Sequence, residues 1–158
     1  MIRWPDEYTP DRTHVHVRNE LEMHVPAEVA WAWLIRAELW PTWYRNSKRV
    51  VIEGGGPDLR AGSKFRWTTF GLRLTSKVEE FVAGERVGWS AHATGINAYH
   101  AWLLEKRPSG CYVLTEENQN GWLARLNNIL NPRNMTKQHE NWLDSLQRKA
   151  AGGPPPTN

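Results

Sequence analysis

The chain has 158 residues, 40% hydrophobic and 23% charged, with a net charge of +3. That length suits a single domain with one core. The interleaved acids and bases, without a dense basic block, exclude a nucleic-acid-binding stripe. No run of about eighteen apolar residues is present, so no membrane span or stable membrane insertion is expected. The N-terminal stretch "MIRWPDEYTPDRTH" lacks a signal-peptide hydrophobic region, and one cysteine, Cys111, leaves no intrachain disulfide to form, so the protein reads as cytoplasmic.

The first element is "HVHVRNELEMHV". Val15, Val17, Leu21 and Met23 share one face with Asn19 as the polar exception, and His14, His16, Arg18, Glu20, Glu22 and His24 share the other, the pattern of a half-buried strand. "PAEVAWAWLIRAELW" follows as a helix, with Pro26 suited to its start and Ala27, Ala30, Trp31 and Leu34 on one stripe. Pro41 interrupts it and makes "PTWYRN" a second short helix or turn. Strands then come in succession: "KRVVIEGG", "SKFRWTTF" with Phe65 and Trp67 on one face, "LRLTSKVEEF" with Leu72, Leu74, Ser76 and Val78 together, and "RVGWSAHA" with Val87, Trp89 and Ala91 together. A final hairpin brings the total to about seven strands, joined mostly by short turns and therefore antiparallel. From Trp122 to about Lys149 the periodicity predicts one long helix with a kink or break at "NPRN". Residues 1–149 read as one domain and 150–158, "AAGGPPPTN", as a flexible tail.

Ten tryptophans in so short a chain point either to a bulky core or to a lined cavity. Aromatics mostly pack, so the core is the first reading.

The order of elements resembles the START/SRPBCC superfamily, the helix-grip fold, and within it the polyketide cyclase/dehydrase-like branch. The resemblance spans about residues 14–148 and is carried by "VPAEVAWAWL", "WPTWY", "GSKFRWTTFG", "GERVGWS", "YHAWLLE", "GCYVLTEENQNG" and "WLDSL". It implies an α+β fold: a curved antiparallel sheet of about seven strands wrapped around a long C-terminal helix, with two short helices after the first strand. It further implies a hydrophobic cavity between sheet and helix. Members bind lipids, sterols, hormones or polyketides, some catalyse cyclisation or dehydration, and others are chaperone cofactors. No catalytic residue is universal, so none carries over.

The hairpin can be read in register. "RPSG" suits a type I turn, with Pro108 second and Gly110 fourth. Counting outward from Arg107 and Gly110 pairs Leu104 with Val113, Trp102 with Thr115, His100 with Glu117 and Ala98 with Gln119. The opposite face holds Tyr99, Ala101, Leu103, Tyr112, Leu114, Glu116 and Asn118. Alternation does not settle which face is inward, because both are partly apolar. The His100/Trp102/Glu117 face is taken as inward, by likeness to Trp67 and Trp89, which leaves Glu116 toward solvent.

A histidine and a carboxylate meeting across two strands admit three readings: a structural polar pair, the anchor for the polar end of an apolar ligand, or a general acid/base pair. The predicted ligand-binding set is Asn19, Phe65, Trp67, Ser76, Trp89, His100, Trp102, Thr115 and Glu117, with His100 and Glu117 the catalytic candidates. Gln119 and Thr69 could add polar groups. The expected partner is a small hydrophobic or aromatic ligand. The alternative is a cyclase or dehydratase, and a third class, an interaction module, would show a large exposed apolar patch.

No metal site, cofactor or nucleotide loop is expected. His14 and His16 lie on a face that reads as solvated, "GGGPDL" lacks the lysine of a phosphate loop, and Cys111 has no companion cysteine. His139 on the last helix reads as a packing residue, with reach into the pocket as the alternative.

Overall fold

The computed structural model describes residues 2–157. Seven strands form one open antiparallel sheet: β1 (Val15–Met23), β2 (Lys48–Ile52), β3 (Lys64–Thr69), β4 (Leu72–Val82), β5 (Arg86–Ala93), β6 (Ile96–Arg107) and β7 (Gly110–Asn120). Their spatial order is β1-β7-β6-β5-β4-β3-β2, so the first strand returns beside the last and only one neighbour pair is far apart in sequence. Helix α1 (Ala27–Ile35) and a 3-10 helix (Ala37–Thr42) follow β1, and α2 (Trp122–Leu130) and α3 (Asn134–Ala150) close the chain.

The predicted break in the last helix falls between α2 and α3. Asn131 precedes Pro132, whose ring disfavours the α region for the residue before it, and Asn131 adopts φ −147° and ψ 71°. Helix α2 meets β1, β6 and β7 near its start, with Ala124 in the core, and α3 packs against β1 and α1. His139, Trp142, Leu143 and Leu146 form its buried stripe.

The sheet alternates as its sequence does. Val15, Val17 and Met23 point inward from β1, while His14, His16, Arg18, Glu20, Glu22 and His24 are exposed. Between sheet and helices the core is dominated by indoles. Trp40 sits at its centre, with ring centroids 5.3–5.8 Å from Phe65, Trp67, Trp89 and Trp142, and its Nε1–H donates to the Leu34 carbonyl at 2.9 Å.

The β6–β7 register is the one that the turn dictates, from Arg107 opposite Gly110 to His100 opposite Glu117. The inward face carries Trp102, Leu104, Cys111 and Val113 into the main core. The outer face is not left to water. Ile2, Trp4 and Tyr8 from the N-terminal segment cover Tyr99, Ala101, Leu103 and Leu114 as a second apolar cluster. Asn118 Nδ2–H holds that segment by donating to the Tyr8 carbonyl at 2.7 Å. Both faces of the hairpin are therefore buried, which is why both read as apolar. Glu116, expected toward solvent, is instead largely buried on this outer face beside Arg18 at 3.5 Å.

The segment expected to be a flexible tail lies against α1. Trp33 Nε1–H donates to the Gly153 carbonyl at 2.7 Å, Arg36 donates to the Pro156 carbonyl, and Pro155 is buried. A proline run has little conformational entropy to lose and offers free carbonyls, which suits it to such docking. Among the described residues, no helix is long and apolar enough to cross a membrane.

Candidate functional site

The space between the sheet and the two C-terminal helices is only partly filled. A cavity of about 330 Å³ remains, walled by Val15, Trp67, Leu74, Trp89, Ala91 and Ala98 from the sheet and by Met135 and Trp142 from α3. Phe70 and Leu72 near the β3–β4 turn, Ala124, Asn127, Asn128 and Leu130 of α2, and Asn131 and Asn134 at the α2–α3 break also line it. Small side chains at Ala91 and Ala98, set among indoles, create the void. Tyr44, after the 3-10 helix, adds a ring stacked on Trp142 at 4.4 Å and 4°.

Within these apolar walls sits one polar cluster. Glu117 on β7 is its centre. Its Oε2 lies 3.2 Å from His100 Nδ1 and 3.1 Å from His139 Nε2, and its Oε1 accepts from Gln119 Nε2 at 2.5 Å. Cross-strand register brings His100 to Glu117, and helical spacing on α3 brings His139 over both. The two imidazoles stack with centroids 4.8 Å apart and planes within 2°. His100 Nε2 pairs with Thr115 Oγ1 at 2.7 Å. Nδ1 faces a carboxylate that can only accept, so Nδ1 carries the proton and the Thr115 hydroxyl donates to Nε2.

Burial strips water from His100 and drives its pKa down to about 3, against the pull of Glu117 and with the help of His139. The imidazole is therefore neutral at neutral pH. Burial alone would raise Glu117, but the facing groups of His100, His139 and Gln119 outweigh it and bring its pKa to about 2. The carboxylate stays ionised because donors point at it. Burial also pushes the Tyr44 hydroxyl up, so it remains a protonated phenol at the wall.

The ligating atoms of His100, Glu117 and His139 all lie within 4.8 Å of one another, the spacing a metal ion could use. In the folded geometry these atoms engage one another, with His100 Nδ1 and His139 Nε2 at 3.2 and 3.1 Å from Glu117 Oε2. As folded, the trio suits a hydrogen-bonded carboxylate.

The predicted ligand-binding residues divide by position. Trp67, Trp89, His100 and Glu117 line the cavity; Asn19, Phe65, Ser76, Trp102 and Thr115 do not. Phe65 and Trp102 are fully buried behind the lining. Ser76 Oγ is engaged by Trp67 Nε1–H at 3.1 Å, and the Thr115 hydroxyl by His100, so both support lining groups rather than facing the void. Asn19 is half-buried opposite Thr115. Thr69 and Gln119 do line the cavity. His139, read from sequence as a packing residue, is a full member of the polar cluster. Its signal was present: it shares a helical face with Met135 and Trp142. Among the described residues, the indole N–H groups of Trp89 and Trp142 and the Nδ1 of His139 have no hydrogen-bond partner.

An antiparallel sheet gripping a C-terminal helix around an apolar cavity defines a helix-grip protein of the START/SRPBCC type. The chain belongs to the polyketide cyclase/dehydrase and lipid transport family, which it matches over residues 14–151. It is similar to the hypothetical protein jhp0584 from Helicobacter pylori, at 30% identity and TM-score 0.88, over 95% of this chain and 96% of that one. TTHA0849 from Thermus thermophilus shares the fold at 15% identity and TM-score 0.72, over 87% of this chain and 98% of that one. So does StfQ, a di-domain ARO/CYC from the steffimycin biosynthetic pathway, at 15% identity and TM-score 0.71, over 87% of this chain and 51% of that one. No curated protein matches the chain.

Proposed function

We propose that the protein binds a small hydrophobic or aromatic molecule in the cavity between the sheet and α3, with the polar end of the ligand against the Glu117 cluster. The observation that carries this reading is the cavity itself, about 330 Å³, with apolar walls, the Glu117 cluster on one side and Asn127, Asn128, Asn131 and Asn134 on the other lining elements. That is the usual make-up of a small-molecule site. Its size suits a ligand of a few fused rings or a short acyl chain. Glu117 accepts from a ligand hydroxyl. Membership of a lipid-transport and cyclase family supports this class of ligand. Native mass spectrometry of freshly purified protein should find a bound apolar molecule, or the emptied protein should take up N-phenyl-1-naphthylamine with a rise in its fluorescence. Absence of both a co-purified mass and dye uptake would sink the proposal.

The enzymatic alternative assigns His100 and Glu117 to acid/base work. A dehydration would take a proton from the carbon beside a carbonyl and return one to the departing hydroxyl, releasing water. A general base works best with a pKa near the operating pH, whereas burial holds His100 below the ordinary imidazole range and the donors facing Glu117 hold it below the ordinary carboxylate range. Both are weaker bases than the free side chains, which favours anchoring over proton transfer. Should turnover of a polyketide-like substrate be found, His100→Ala and Glu117→Gln must abolish it while leaving binding largely intact. Unchanged turnover in both would rule the assignment out.

A further inference from the structure

Among the described residues, helix α2 leaves its apolar side uncovered. Trp122, Leu126, Ile129 and Leu130 are 65%, 43%, 67% and 74% exposed. Their spacing of four, three and one residues puts them along one face of the nine-residue helix. Single exposed apolar residues are ordinary, but four large ones on one short helix form a patch. Phe70, 38% exposed at the tip of the β3–β4 turn, and Leu130 both line the cavity, so the patch borders the cavity where α2 departs from the sheet.

The charge around this patch has one sign. Residues 118–139 contain Arg125, Arg133 and Lys137 and no aspartate or glutamate. All three basic side chains are exposed. Residues 39–52 likewise contain Arg45, Lys48 and Arg49 and no acid. This second segment adjoins the Phe70 turn, where Asn46 Oδ1 accepts from the Phe70 amide at 3.0 Å. An exposed apolar helix face flanked by bases without acids is complementary to an anionic, greasy surface. A protein partner would meet the apolar face equally well, but the one-signed charge favours a phospholipid surface over a second copy of this chain, whose own surface there would repel it.

We infer that α2 and the Phe70 turn dock the protein reversibly on an anionic bilayer, with the helix lying in the interface and the cavity turned toward the lipid. The inference deepens the ligand-binding reading, on which it rests for its purpose, by naming the membrane as the source or destination of the ligand. The docking itself needs no ligand. Among the described residues no helix is long and apolar enough to cross a bilayer, so the docking relies on burial of the four side chains and on charge, and salt weakens it. Each basic side chain near an anionic surface strengthens attachment about fivefold.

The test is co-sedimentation of the full chain with vesicles of phosphatidylglycerol and phosphatidylcholine, beside vesicles of phosphatidylcholine alone. The protein should pellet with the anionic vesicles and at least several-fold less with the neutral ones, and the emission of exposed Trp122 should shift to the blue on binding. Leu126→Glu with Ile129→Glu, two residues outside the cavity lining, should abolish pelleting while N-phenyl-1-naphthylamine uptake is unchanged. Arg125→Ala with Lys137→Ala should weaken pelleting without altering dye uptake. Equal pelleting of the glutamate variant, or none by the wild type, overturns the inference. A wild-type dimer that the glutamate variant converts to monomer, with no vesicle binding, overturns it in favour of a second copy. Loss of dye uptake in the wild type would instead strike the ligand-binding reading and leave vesicle binding to be judged on its own.

Discussion

His100 has both ring nitrogens committed, Nδ1–H to Glu117 and Nε2 to the Thr115 hydroxyl. Thr115→Val keeps the shape and removes the donor, leaving a buried nitrogen unpaired, which costs about 1–3 kcal/mol. Urea unfolding should show a loss of that size, and Thr115→Ser should restore most of it. The same burial gives a pH dependence whose sign is fixed. His100 has a folded pKa near 3 against an ordinary 6.5, so the unfolded chain binds the proton first. Its contribution is whole above pH 6.5 and is lost as the pH falls below that value. Glu117, depressed from 4.5 to about 2, adds its own loss only below pH 4.5. Stability by chemical denaturation should therefore fall between pH 6.5 and 4.5, and His100→Gln should flatten that slope whatever its effect on the absolute value. A slope unchanged in the variant would show that His100 is not the group responsible. Sequence could pair His100 with Glu117 because a turn fixes register. It could not foresee that the Thr115 and Ser76 hydroxyls would be consumed by His100 and Trp67, since that depends on rotamers, nor that His139 would complete the cluster from another element.

Among the elements, the β6–β7 hairpin was the most legible because its turn chemistry is local: Pro108 and Gly110 specify the turn, and every pair follows. Gly110 also answers to a distant element. Its φ is +151°, and a Cβ there would stand 2.0 Å from the Met23 carbonyl oxygen at the end of β1. Gly110→Ala should destabilise by about 3 kcal/mol, combining backbone strain with a clash that rigid β-strand backbone cannot relieve. Ser109→Ala beside it should melt like the wild type, and equal melting temperatures for both variants would contradict the account. The break at Pro132 was equally readable, since a proline disfavours helix at the residue before it. The cover provided by Ile2, Trp4 and Tyr8 was not, because that segment has neither a helical nor a strand period. Docking of the 153–156 stretch on α1 escaped notice for a similar reason: its hydrogen bonds use backbone carbonyls, which leave no trace in side-chain pattern.

At the scale of the molecule, ten tryptophans posed a choice between core and cavity, and the chain does both. Trp40 and Trp102 are buried away from the cavity, while Trp67, Trp89 and Trp142 line it. The void exists because Ala91 and Ala98 are small where their neighbours are large. Ala98→Leu places about three more carbons in the cavity. If the space is a ligand site, filling it should leave stability unchanged or raise it by about 0.5–2 kcal/mol, while removing the response to ligand. A ligand held at about a hundred times its Kd stabilises the wild type by about 2.7 kcal/mol, which for a chain of this size raises the Tm by roughly 5–10 °C. Thermal melts with N-phenyl-1-naphthylamine should show that rise in the wild type and none in Ala98→Leu. A variant that loses about 1–3 kcal/mol instead would report overpacking, meaning that the walls have closed on a space too small to admit a ligand. A variant that still shifts with the dye would place the binding site elsewhere, with the exposed face of α2 the first surface to examine.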